Sequence, residues 1–201
     1  MKTFLEKSRE NYNRIADNYD NTYDGRFTKE FKELLLEELS LKPGDAVLDV
    51  ACGNGTLLKM ISERWEIKGS GIDISEKMIE NAKRKCPDMT FEVGSCERSS
   101  FPASTFDVIT VCAAYHHFPD VKAFAREANR LLKPNGLLLI ADVYYSFLRG
   151  LANLILPFSH AGDVRCYSPK EIQTNFESVG FQLIGFKKRG VIQIVKMQKT
   201  A

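Results

Sequence analysis

Hydrophobic and polar positions change their period along this chain. Tyr12, Ile15, Ala16 and Tyr19 recur at helical spacing, and Phe27, Phe31, Leu34, Leu35 and Leu39 do so again. Two helices are therefore predicted within residues 1–40. The stretch Lys42 to Asp45, KPGD, breaks the pattern. Short apolar runs then alternate with amphipathic ones. Strands are predicted over Ala46–Val50, Gly69–Ile74, Met89–Val93, Phe106–Val111 and Leu137–Val143. Helices are predicted over Thr56–Trp65, over Ser75–Cys86 with Ser75 as N-cap, and over Val121–Leu132. In the last of these, Val121, Phe124, Ala125, Ala128, Leu131 and Leu132 share one face, and KPNG punctuates the chain before the next strand. Near-continuous apolar strands alternating with helices predict a parallel sheet covered on both faces.

The last quarter reads differently. Ser168, Pro169 and Glu171 combine a capping Ser, Pro at the first helical position and a capping-box Glu, so a helix opens there and Gly180 closes it. Phe181–Lys188 and Val191–Gln198 flank Arg189-Gly190 and predict an antiparallel hairpin, which puts an antiparallel edge strand at the end of the chain. Residues 144–166 hold an apolar insertion, SFLRGLANLILPFSHAG, with no place in the alternation. It is either a short helix packed on the core or a lid over a substrate site.

Composition narrows the class without naming it. At 201 residues the chain predicts one domain, residues 1–201. A net charge of +2 is too small to imply nucleic acid or an anionic membrane as partner. The basic runs at Lys83–Lys85 and Lys187–Arg189 read as a solvated helix face and a hairpin tip. The 5 cysteines are scattered without a C-x-x-C pair, which speaks against a disulfide framework and a zinc site, so no metal is expected. Neither a signal-peptide core nor a membrane-spanning run is visible, and a cytoplasmic location is the expectation.

The candidate chemistry centres on VLDVACGNGTLL, Val47 to Leu58. A strand there runs through Ala51, Cys52, Gly53, Asn54 and Gly55 directly into a helix. Small residues let a ligand approach the backbone, and the helix N-terminus offers unsatisfied N–H groups to an anionic end. In an open parallel sheet this is where ligands bind. The dinucleotide fingerprint G-x-G-x-x-G is not completed, because Leu58 follows Gly53 and Gly55, and no G-K-[ST] comes after it for a phosphate loop. Asp73, at the end of the second strand and about 20 residues further on, is placed to accept hydrogen bonds from ribose hydroxyls. Capping of the next helix is its bland alternative. Ser95 and Cys96 follow the third strand, on the far side of the same crevice.

VLDVACGNGTLL, GIDIS, FEVGSCERSSFPASTFDVITVCAAYHHFPD and EANRLLKPNGLLLIADV, in this order, resemble the class I S-adenosylmethionine-dependent methyltransferases. The branch with the ubiquinone and menaquinone biosynthesis methyltransferases is the most similar. The resemblance implies an α/β three-layer sandwich of Rossmann-like type, with a seven-stranded, mostly parallel sheet in order 3-2-1-4-5-7-6 and the last strand antiparallel. It implies S-adenosylmethionine as cofactor, with the helices of residues 1–40 covering it. Asp49 and the loop Ala51–Gly55 would hold its methionine end, with Tyr19 reaching the carboxylate and Tyr12 as the alternative. Asp73 would bind the ribose, and Ile74 and Met78 would lie against the adenine. Ser95 stands where the family carries an Asp beside the position of Cys96, which removes a charge from the adenine contact. Val111 and Cys112 would flank the sulfonium.

A sulfonium methyl is already electrophilic, so alignment of the acceptor is the main task. A base is needed only where the acceptor must lose a proton. His117 and His116, at the rim of the crevice, are the candidates, with His117 preferred; shaping of the pocket is their other role. His160 in the insertion is a candidate substrate contact. No [ND]-P-P-[YF] follows the fourth strand and no Pro-Cys nucleophile is present, so a small-molecule acceptor is expected. The apolar insertion suggests that this acceptor is partly hydrophobic. A silent cofactor-binding module and a nicotinamide oxidoreductase are the alternative functions.

Overall fold

The computed structural model describes residues 2–145, 148–159 and 162–200; Phe147 and His160 lie outside them. The chain opens with α1, Phe4–Ile15, whose Thr3–Glu6 capping box closes its N-terminus. A 3₁₀ segment, Ala16–Asn21, leads to α2, Tyr23–Glu38. The alternating part comes next: β1 Asp45–Val50, α3 Thr56–Ser62, β2 Ile67–Asp73, α4 Glu76–Lys85, β3 Thr90–Val93, β4 Phe106–Cys112, α5 Val121–Leu131 and β5 Leu132–Val143. Helices α6, Arg149–Ile155, and α7, Pro169–Glu177, precede the strands β6, Phe181–Arg189, and β7, Ile192–Lys199.

The strands form one seven-stranded sheet in the order β3-β2-β1-β4-β5-β7-β6. β7 is antiparallel to both β5 and β6. The antiparallel strand is therefore internal, and β6 rather than β7 forms the edge; the hairpin alone could not reveal which arm faced β5. Period-two alternation distributes each buried strand between two cores. Val47, Leu139 and Ala141 pack with Phe31, Leu35, Leu58 and Ile79 of α2 to α4 on one face. Leu48, Val50, Leu138 and Ile140 pack with Phe124, Ala128, Ile172 and Phe176 of α5 and α7 on the other. The result is a helix–sheet–helix sandwich.

Two regions differ from the simple alternation. KPNG lies within β5 as an irregularity, where the pairing moves from Phe106–Leu132 to Val108–Leu137 and Asn135 takes φ +63°. The insertion forms α6, which buries none of its residues. Leu151, Leu154, Ile155 and Phe158 are exposed. The segment after it is held down: Val164 and Arg165 N–H both donate to the His116 carbonyl, at 2.8 and 3.1 Å, and Cys166 is fully buried. No described helix is long and apolar enough to cross a membrane.

Candidate active site

The carboxyl ends of β1, β2 and β4 open onto a cleft whose space, open mouth included, is about 720 Å³. Its wall includes Tyr19, Ala51, Gly53, Asp73, Ile74, Met78, Cys96, Cys112 and His117, all expected from the sequence. A smaller recess of about 330 Å³ shares Tyr19, Ala51, Gly53 and Cys112 with it and adds Asp49, Cys52 and Asn54. Four expected residues lie outside both walls. Gly55 caps α3 in a left-handed conformation, and a Cβ there would meet Ala82 Cβ at 3.1 Å, so this glycine lets α3 and α4 approach. Val111 is fully buried in the sheet core. Ser95 lines a neighbouring groove with Ile74 and Gly94. His116 sits behind His117 in the 3₁₀ turn Tyr115–His117.

The loop after β1 is conformationally demanding. Ala51 adopts φ +58°, a strained region for a residue with a Cβ, and Gly53 adopts φ +52°. A Cβ at Gly53 would meet nothing within 4 Å, so its α-carbon faces open cleft. The Gly53 N–H donates to Asp73 Oδ2 and the Ser75 N–H to Asp73 Oδ1, both at 2.8 Å. Asp73 thus orders the loop and the start of α4 together, while Ser75 caps α4 through Met78 N–H.

The site concentrates buried carboxylates. Burial raises Asp73 to a pKa of about 6 against its backbone hydrogen bonds. Burial raises Asp49 further, to about 7, opposed by a 2.7 Å hydrogen bond from Thr110 Oγ1 and by the charge of Lys32. Two acids held this far up in one cleft suit a ligand that brings positive charge. Lys32 and Thr28 also line the recess, with Lys32 Nζ donating to Thr28 Oγ1 at 2.7 Å. The legible signal for this pair was polar residues four apart beside Phe31 and Leu35 on the inward stripe of α2.

A second polar cluster lies beyond Cys112. The hydroxyl of Tyr12 is 3.0 Å from His117 Nε2, and both line the cleft. His116 Nδ1 lies 2.6 Å from the buried Asp142. Burial alone would lower the pKa of His116, but Asp142 and Asp163 outweigh it and hold it above the ordinary value. Burial and the neighbouring His116 push His117 down to about 4, leaving a neutral imidazole. Asp142, Asp163 and the pairing of Tyr12 with His117 were not foreseen. The signal for Asp142 was a carboxylate interrupting the apolar strand LLLIADV.

Residues 47–136 match the family model described as a methyltransferase domain. The chain carries a methyltransferase domain. The chain is 38% identical over 106 residues to a 2-methyl-6-phytyl-1,4-hydroquinone methyltransferase of Synechocystis, covering 51% of the chain and 33% of the relative. To a demethylmenaquinone methyltransferase of Symbiobacterium thermophilum it is 32% identical over 153 residues, covering 70% of the chain and 61% of the relative. A phosphoethanolamine N-methyltransferase of Triticum aestivum is 40% identical over 120 residues, covering 57% of the chain and 23% of the relative. The chain thus spans less than two thirds of each of these proteins. Among solved structures, an S-adenosylmethionine-dependent methyltransferase of Thermotoga maritima superposes with a TM-score of 0.77 at 17% identity, over 96% of this chain and 100% of that one. The likeness to it is one of fold.

Proposed function

We propose that this methyltransferase-domain protein transfers a methyl group from S-adenosylmethionine to a small, partly hydrophobic acceptor. The observation that carries the reading is the pairing of Gly53 and Asp73 at the cleft wall. It leaves lone pairs of a buried carboxylate for a pair of ribose hydroxyls, beside main chain that no side chain covers. The residues fit the cofactor in charge as well, since the buried Asp49 and Asp73 are matched by a sulfonium and an ammonium group.

In this reading Asp49 holds the amino group, and Lys32 and Tyr19 hold the carboxylate. Ile74, Met78 and Cys96 flank the base, with Ser95 to one side. Cys112, Ala113 and Ala114 form the wall toward the acceptor. The bound cofactor supplies an electrophilic methyl group on sulfur. The chain's own contribution is alignment and exclusion of water: α1, through Leu5, Ser8 and Tyr12, roofs the cleft, and α6, the described helix of the insertion, serves as a lid. His117, fixed by Tyr12, orients the acceptor, with His116 and Asp142 behind it.

The hydroquinone and the demethylmenaquinone named for two of the relatives, and the exposed apolar side chains of α6, support an acceptor with apolar character. The small net charge favours a small molecule over nucleic acid. The free cysteines favour a reducing compartment such as the cytoplasm. The test is incubation of the protein with a labelled methyl donor and cell extract, followed by mass identification of the labelled product. Label should enter a discrete small molecule and disappear with Gly53→Val. Label in no product, or equal label with that variant, would refute the proposal.

A further inference from the structure

We propose that His116, His117 and Asp163 form a binding site for a divalent transition metal at the acceptor end of the cleft. The two histidines are adjacent in the 3₁₀ turn after β4, and Asp163 lies on the segment that follows α6. That segment is fixed against them by the two N–H bonds to the His116 carbonyl and by the Asp163 N–H bond to Ser159 Oγ at 3.1 Å.

Each imidazole has one nitrogen engaged away from the cluster, His116 Nδ1 with Asp142 and His117 Nε2 with Tyr12. The remaining nitrogens both face Asp163. His116 Nε2 is 3.5 Å from Asp163 Oδ1, and His117 Nδ1 is 3.1 Å from the same oxygen. His117 Nδ1 is close enough for an ion pair, yet it is buried without a well-aligned hydrogen bond, the backbone of Gly162 being its other polar neighbour. A carboxylate oxygen and two imidazole nitrogens therefore converge without satisfying one another.

The spacing has the scale of a coordination polyhedron. Ligand bonds of about 2.0–2.1 Å put tetrahedral ligand atoms about 3.3 Å apart. The separations of 3.1 and 3.5 Å bracket that value, and the three ligand atoms lie within 4.8 Å of one another. A carboxylate on the far nitrogen of His116 is also the usual outer partner of a metal-bound imidazole, since it fixes the tautomer and the ring orientation. Two imidazoles and one carboxylate suit zinc(II), manganese(II) or iron(II), and they leave coordination positions open. His117 lines the cleft, so an open position there can take an oxygen of the acceptor and polarise it. That use rests on the proposed methyl transfer; the metal site does not.

The test uses the full chain, stripped with a chelator and titrated with cobalt(II) by visible absorption and with zinc(II) by calorimetry. Saturation at one equivalent is expected, with affinity falling at least about tenfold in Asp163→Asn and in His117→Gln. Asp73→Asn should bind metal as the parent does while losing S-adenosylmethionine, so failure of the metal site and failure of the cofactor site are told apart. Absence of saturable binding, or unchanged affinity in both ligand variants, would overturn the proposal. If His117→Gln does not fold, Asp163→Asn decides alone.

Discussion

Gly53 and Asp73, twenty residues apart, are joined by a 2.8 Å hydrogen bond from the Gly53 N–H to Asp73 Oδ2 across the tips of β1 and β2. The bond ties the glycine loop to the acid at the end of β2. The second oxygen of Asp73 is held by Ser75 N–H at the same distance. A carboxylate accepts about four hydrogen bonds, which leaves capacity for two ligand hydroxyls.

Binding of S-adenosylmethionine should depend on pH through Asp49. Its pKa is raised to about 7 by burial, so in the free protein it is protonated below neutrality and cannot pair with an ammonium group. Affinity is expected to fall as pH drops below 7, by up to about tenfold per unit. Calorimetry between pH 5.5 and 8.5, chosen as roughly bracketing this pKa, should show the slope beginning near pH 7 in the parent and only near pH 6, where Asp73 titrates, in Asp49→Asn.

The same acid sets a stability difference of opposite sense. Its folded-state pKa lies above the ordinary 3.8, so the folded state retains a proton that the unfolded chain releases. The contribution is fully present below about pH 3.8 and is lost as pH rises through about 7. Asp49→Asn keeps an acceptor for Thr110 without the charge. Urea denaturation should therefore find it increasingly stabilised relative to the parent as pH rises toward 8.

Lys32 is the cation whose field opposes the effect of burial on Asp49. Lys32→Met should weaken cofactor binding by about tenfold or more, the scale of one charge-assisted hydrogen bond. It should also move the midpoint of the pH profile upward. An unchanged midpoint would separate Lys32 from the recess.

Ala51 holds a left-handed conformation that costs a residue with a Cβ about 1–2 kcal/mol. Ala51→Gly removes this strain but adds about 0.5–1 kcal/mol of backbone entropy in the unfolded chain. A net gain of up to about 1 kcal/mol is expected by urea titration. Ala51→Val should lose stability, because a branched side chain is worse at this φ.

The parts of the molecule written in local pattern were readable from the chain. The strand–helix alternation, the Ser168–Glu171 capping box and the small-residue loop arise from spacing and turn chemistry, and the observed elements match them closely. Most residues assigned to the cofactor line the cleft or its recess for the same reason, since strand ends in a parallel sheet share one edge. The features that escaped depend on distant segments meeting. Tyr12 reaches His117 only because α1 packs against the 3₁₀ turn after β4, and Asp163 joins the histidines only through the segment that follows α6. Asp142 was masked by the apolar run around it. Gly55 carries the same motif signature as Gly53, yet the neighbouring helix turns it toward packing.

If one buried carboxylate at the end of β2 holds the nucleoside of S-adenosylmethionine, its removal must release that nucleoside. Calorimetric titration of S-adenosylhomocysteine into the parent and into Asp73→Ala and Asp73→Asn measures this, with circular dichroism confirming the fold of each. One-to-one binding is expected in the parent, with a loss of at least about a hundredfold in the alanine variant, the scale of two charge-assisted hydrogen bonds. Binding of equal strength in folded Asp73→Ala would contradict the assignment.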